Sequence, residues 1–160
     1  MGDAQTAVAL FGAAGYTGLE LVKLLARHPG VRLACAASDG HAGKLVGELA
    51  SGPDGLRFVT ADEARRIAAG CSVALLAVPP EPAKALALAL REAGVRVIDL
   101  SHAHRATAGA VYGLASLFAG EVAGAQLVAN PGCYATAVIT AAAPLVRHGL
   151  VGGELFVSAG

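Results

Sequence analysis

One of the three cysteines in this chain sits where a thiol can act. Cys133 follows Asn130-Pro131-Gly132 and precedes Tyr134-Ala135-Thr136-Ala137, a Pro-Gly turn running into small and apolar residues. That pattern predicts a loop that ends as a helix begins, with the thiol at the helix N-terminus. Unpaired N–H groups and the positive end of the helix dipole favour an anion there, so a thiolate nucleophile is the chemistry on offer. A free cysteine also packs well as a small buried apolar side chain. The stretch by itself leaves both readings open.

A second chemical signal lies near the amino end. Glycines fall at 12, 15 and 18, directly after the apolar run Thr6 to Phe11 and before a helical pattern carrying Leu21, Val22, Leu24 and Leu25 on one face. Strand, glycine turn and helix together suit a dinucleotide, because the turn lets backbone N–H groups approach a pyrophosphate at the helix N-terminus. The spacing is G-x-x-G-x-x-G rather than G-x-G-x-x-G, so a plain strand-to-helix turn is the alternative. Asp39, after the next apolar run Val31 to Ala37, stands about 20 residues beyond the glycines, where an acid can hold the adenosine ribose. It fits equally as a turn residue before Gly40. Asp39 repels a 2′-phosphate, whereas Ser38, His41 or Lys44 can accommodate one, so NAD and NADP both remain open.

The elements that must carry these residues alternate. Strands are expected at Thr6 to Phe11, Val31 to Ala37, Arg57 to Val59, Cys71 to Val78, Val95 to Leu100 and Gln126 to Ala129. Helices are expected from Tyr16 to about His28, from Ala61 to Ala69 behind a Thr60 cap, from Pro82 to Ala93, and after Cys133 to His148 with a kink at Pro144. Residues 106–124 hold an uncertain short helix. Glu154 to Ser158 reads as the start of a further strand. Regular alternation predicts an α/β fold, a doubly wound, mostly parallel sheet of the Rossmann-like NAD(P)-binding kind. His102-Ala103-His104-Arg105 then falls in an exposed loop at the carboxyl edge of that sheet, where Arg105 can meet an anionic substrate or remain a solvated surface group. Two histidines without a supporting cysteine or carboxylate set do not make a metal site, and none is assigned.

Composition excludes other classes. The chain has 160 residues, 55% of them hydrophobic, with twelve basic residues against twelve acidic. Such a balance offers no basic field for nucleic acid or for an anionic membrane. The odd, widely spaced Cys35, Cys71 and Cys133 read as reduced thiols in a cytoplasmic protein. No apolar run reaches the length of a membrane span.

Taken in order, Gly12-Ala13-Ala14-Gly15-Tyr16-Thr17-Gly18-Leu19-Glu20-Leu21, Leu24-Leu25-Ala26-Arg27-His28-Pro29, Asp99-Leu100-Ser101 with Arg105, Tyr112-Gly113-Leu114 and Asn130-Pro131-Gly132-Cys133-Tyr134 closely resemble the N-acetyl-γ-glutamyl-phosphate reductase family of arginine biosynthesis. The resemblance spans nearly the whole chain but only the amino-terminal half of a family member. It implies NADP-dependent reduction of an acyl phosphate to a semialdehyde with release of phosphate, through a thioester on Cys133, in an enzyme related to aspartate-semialdehyde dehydrogenase. It implies a pyrophosphate site at Gly12, Gly15 and Gly18 and sets Ser38 near the adenosine ribose; Ala14, Tyr16 and Thr17 of the same turn and Asp39 are expected among the cofactor contacts, and Arg105 and Asn130 among the substrate contacts. Residues 1–148 are then the dinucleotide-binding domain and 149–160 the start of an α+β substrate domain, with the catalytic histidine beyond residue 160 and a homo-oligomer as the usual assembly.

This sequence departs from the family at Ala135, where proline is usual, and at Val78-Pro79-Pro80-Glu81, where Leu-Pro-His-Gly is usual. Ala115-Ser116 replaces Pro-Glu, and Asp39 stands where arginine is common, a change that favours NAD over NADP. A carrier-linked aminoadipyl-phosphate reductase of lysine biosynthesis, and a nucleotide-binding module without turnover, are the alternative readings.

Overall fold

The computed structural model describes residues 5–158. Residues 1–4, and Ala159 and Gly160 at the end of the segment assigned to a second domain, lie outside the described residues. The strands are β1 (Thr6–Phe11), β2 (Val31–Ala37), β3 (Phe58–Val59), β4 (Val73–Leu76), β5 (Arg96–Asp99), β6 (Val111–Tyr112) and β7 (Leu127–Ala129). The helices are α1 (Tyr16–Arg27), α2 (Ala61–Ala68), α3 (Pro80–Glu92), α4 (Ala115–Gly124) and α5 (Cys133–Arg147), with short 3-10 turns at Asp39–His41 and Val46–Glu48.

All seven strands join one sheet in the order β3-β2-β1-β4-β5-β7-β6, and every strand pair is parallel. A parallel sheet needs both faces covered, and the alternation along β1 shows how this chain does it. Ala9 and Phe11 join Leu76, Leu86, Leu90 and Val97 on one face, against α2 and α3. Val8 and Leu10 join Val22, Leu33, Phe58 and Leu75 on the other, against α1. Because all strands run the same way, their carboxyl ends lie along a single edge. Strand order reverses between β1 and β4, and that is the point at which open sheets of this kind leave a ligand crevice.

Thr60 caps α2, its side-chain oxygen accepting the Glu63 N–H at 3.2 Å. Four expectations need correction. Pro80, not Pro82, opens α3, because a proline at the first helical position loses no hydrogen bond that a helix could have used. Tyr112 belongs to a two-residue strand, β6, too short to leave a periodic trace in sequence. Glu154 to Ser158 forms no strand; an apolar run becomes one only beside a partner, and among the described residues none pairs with it. His104 is not in an exposed position but buried, because it finds the Asp99 carboxylate.

Candidate active site

Three cavities adjoin along the carboxyl edge. The first, about 340 Å³, is lined by Gly12, Ser38, Asp39, Arg65, Val78 and Pro79 among others. A smaller one of about 140 Å³ is lined by Thr17, Ala77, Val78, Leu100 and Ser101. The third, about 720 Å³, includes Thr17, Arg105, Tyr112, Asn130 and Cys133 in its walls. Neighbours share Val78, then Thr17 and Leu100, so the three form one elongated crevice crossing the ends of β2, β1, β4, β5 and β7 in turn. Inter-strand spacing makes that crossing about 19 Å.

The glycine turn runs along it, with Gly12 lining the first cavity and Thr17 the other two. Gly15 is the N-cap residue of α1, with no side chain to cap the helix, so the first N–H groups of α1 are left for an outside acceptor. A Cβ built on Gly15 would have only the Gly12 carbonyl oxygen near it, at 3.5 Å, so no protein atom requires glycine there. The bare backbone is what close approach of a pyrophosphate needs. Ala14 packs its methyl group towards the core and offers the turn only backbone. Tyr16 is 96% exposed and lines none of the three cavities, whereas Thr17 lines two of them.

At the far end of the crevice Asp39 accepts the Ala61 N–H through Oδ1 at 2.8 Å, which fixes the carboxylate at the cavity wall. Ser38 Oγ lies 3.2 Å from His41 Nδ1. Arg65 faces the same cavity, and sequence reasoning missed it. Its only ion pair among the described residues is with exposed Asp62, 3.3 Å away, a contact weak enough to be exchanged for a ligand. An arginine one turn into the helix after β3 was the available signal, legible only once the crossover had been drawn.

A family model matches the part of the chain that carries the glycine turn. The family described as "Semialdehyde dehydrogenase, NAD binding domain" matches residues 7–125. The chain belongs to that family. Among its relatives is an N-acetyl-gamma-glutamyl-phosphate reductase of Akkermansia muciniphila, 38% identical over 94% of this chain and 50% of the relative. A protein of the same name from Neisseria meningitidis is 42% identical over 88% of this chain and 46% of its own length. The chain thus spans about half the length of the curated relatives it matches. Aspartate semialdehyde dehydrogenase II of Vibrio cholerae shares the fold with a TM-score of 0.77 at 23% identity, over 89% of this chain and 47% of that one. A probable aspartate-semialdehyde dehydrogenase of Pseudomonas aeruginosa gives a TM-score of 0.72 at 29% identity, covering 89% and 42%.

At the other end of the crevice, β7 delivers Asn130, and Gly132 caps α5 so that Cys133 is its first residue. Cys133 is exposed, which removes the buried-filler reading. Arg105 Nε donates to the Asn130 carbonyl at 3.0 Å, which brings the guanidinium against Gly132. Thr136 Oγ1 donates to the Gly132 carbonyl at 2.9 Å and tightens the turn. No group of histidine, cysteine, aspartate or glutamate side chains among the described residues could hold a metal ion. No helix among them is long and apolar enough to cross a membrane.

The other two thiols differ in kind. Burial pushes Cys35 up to about 11, with Cys71 adding to the effect, and burial also raises Cys71. Iodoacetamide near neutral pH is therefore expected to modify Cys133 alone in the folded protein, read as a single adduct by intact mass and peptide mapping. Cys35 and Cys71 should react only after denaturant is added. Adducts on Cys35 at a rate comparable to Cys133 would contradict this ordering.

Proposed function

We propose that this chain is the dinucleotide-binding and nucleophile-bearing half of a reductase that converts N-acetyl-γ-glutamyl phosphate to its semialdehyde. One observation carries the reading: the exposed Cys133 opens a helix at one end of a crevice along which Gly12 and Thr17 of the glycine turn also lie. In the forward direction the Cys133 sulfur, as thiolate, attacks the acyl carbon. The carbon–oxygen bond to phosphate breaks, phosphate departs with the electron pair, and a thioester remains on Cys133. A reduced nicotinamide held along the crevice would supply the hydride that this carbon needs. The carbon–sulfur bond then breaks, which frees the aldehyde and restores the thiolate. Backbone N–H groups at the start of α5 are suited to hold the oxyanion formed at the same carbon. Arg105 and Asn130 flank the sulfur and are suited to hold the anionic end of the substrate.

The resemblance implies NADP, and Ser38 and Arg65 are the groups fitted to a 2′-phosphate, with Asp39 opposing it. Asp39→Ser is expected to raise NADP affinity relative to NAD by about tenfold, since it removes a fixed negative charge beside that phosphate. Titrating each cofactor by isothermal calorimetry checks it; an unchanged ratio would mean that Asp39 does not face the ribose.

We also take residues 149–160 to begin a substrate domain. The apolar groove between α5 and Leu155, Phe156 and Val157 is the surface that domain would cover, with Phe156 97% exposed as it stands. A homo-oligomer in the cytoplasm completes the proposal. The decisive assay gives the polypeptide carrying this chain the N-acetylated semialdehyde, phosphate and either oxidised cofactor. Phosphate-dependent formation of reduced cofactor supports the reading. Cofactor binding without turnover would leave a nucleotide-binding module instead.

A further inference from the structure

His104 has no part in the chemistry above, yet it is 8% exposed and lies against an Asp99 side chain that is fully buried at the end of β5. Its Nδ1 and Asp99 Oδ2 are 2.7 Å apart. A carboxylate accepts, so Nδ1 carries the proton whether or not the ring is charged. Asp99 also accepts the Ser101 N–H and the Ser101 hydroxyl, each at 2.9 Å. Ser101 Oγ in turn accepts the Ala103 N–H at 3.0 Å. One buried carboxylate therefore organises the whole turn from Asp99 to His104.

The next residue is Arg105, whose Nε donates to the Asn130 carbonyl. Asn130 N–H donates back to the Asp99 carbonyl at 2.8 Å. Asp99, His104, Arg105 and Asn130 thus close a ring that spans β5 and β7. Arg105 is itself exposed and has no carboxylate partner among the described residues. An exposed arginine ordinarily samples many rotamers; anchoring the residue before it and its own Nε leaves the outer nitrogens preset for an oxyanion.

We propose that His104 is a positioning residue, whose buried hydrogen bond to Asp99 holds the Arg105 guanidinium over the Gly132–Cys133 turn, ready for the oxyanion of a ligand. This rests on the reading of Arg105 and Cys133 given above. The test uses this chain without needing turnover. Iodoacetate and iodoacetamide place the same carbon on the Cys133 sulfur with loss of iodide, and differ by one negative charge. The ratio of their rates reads the cation beside the thiol.

Arg105→Ala is expected to lower that ratio roughly threefold to tenfold. His104→Ala should lower it as far, although Arg105 is still present. His104→Asn, whose amide N–H can take the place of Nδ1–H and which carries no charge, should restore it. A wild-type ratio in His104→Ala, with a lowered one in Arg105→Ala, would overturn the positioning role and leave the anion site standing. An unchanged ratio in Arg105→Ala would overturn both. Should His104→Ala fail to fold, His104→Gln replaces it: its longer side chain overshoots Asp99, so a low ratio beside a restored Asn variant supports the role, and equal ratios overturn it.

Discussion

Changing Cys133 to serine is expected to cut acyl-phosphate reduction by about a thousandfold or more, equivalent to about 4 kcal/mol of barrier. The substitution removes one sulfur from an exposed position at the first residue of α5 and disturbs neither apolar cluster. Stability and cofactor affinity should therefore stay at their wild-type values, and the loss should fall on kcat. Serine keeps the geometry but not the nucleophile, because an alcohol stays protonated near neutral pH where a thiol can supply thiolate. Mass spectrometry of protein mixed with acyl phosphate in the absence of reduced cofactor should show an acyl adduct on Cys133 in the wild type and none in the variant. Equal turnover by wild type and Cys133→Ser would remove the covalent route.

The same crevice explains how Cys133 and the glycine turn, so far apart in sequence, come to lie along one edge of the sheet. Parallel strands put every carboxyl end on one edge, and β7 enters the sheet beside β5. Cys133 therefore arrives two strands beyond the β1 and β4 switch point, and Thr17 in the first turn of α1 lines both the central cavity and the one that holds Cys133. Neither face of the sheet has to open for the two to meet.

Much of this was legible in the chain itself. The glycines are meaningful because an apolar run precedes them and a one-sided apolar helix follows, and the Pro-Gly turn before Cys133 marks a helix start whatever the fold. Patterns of this kind are local. What escaped depends on partners supplied by folding. His104 reads as a loop residue because its acceptor, Asp99, becomes a buried carboxylate only when β5 lies between β4 and β7. Arg65 reads as one charge on a surface helix until the crossover brings α2 beside Ser38 and Asp39. Glu154 to Ser158 has a strand's composition without a strand's neighbour, so its apolar residues stay exposed.

Three glycines that spacing treats alike are expected to answer differently to alanine. At Gly12 φ is +78°, and an added Cβ would lie 2.2 Å from the Ala77 carbonyl oxygen; at Gly18 it would lie 2.1 Å from the Gly12 carbonyl oxygen. Both obstacles are backbone, locked between β1, β4 and α1, and neither can turn aside as a side chain would. Gly12→Ala and Gly18→Ala should each cost about 3 kcal/mol or more, a fall in Tm of roughly 10 °C for a chain of this size. Gly15 has no such obstacle and an ordinary extended backbone, with φ at −75°. Gly15→Ala should keep Tm within about 2 °C, yet weaken NAD or NADP binding at least tenfold, or about 1.4 kcal/mol, because the methyl group stands where the pyrophosphate must approach. Thermal melts with and without cofactor separate the two effects. Undiminished cofactor binding by Gly15→Ala would mean that no pyrophosphate approaches the backbone there, since only Gly12 and Gly18 would then need to be glycine, and both for packing alone.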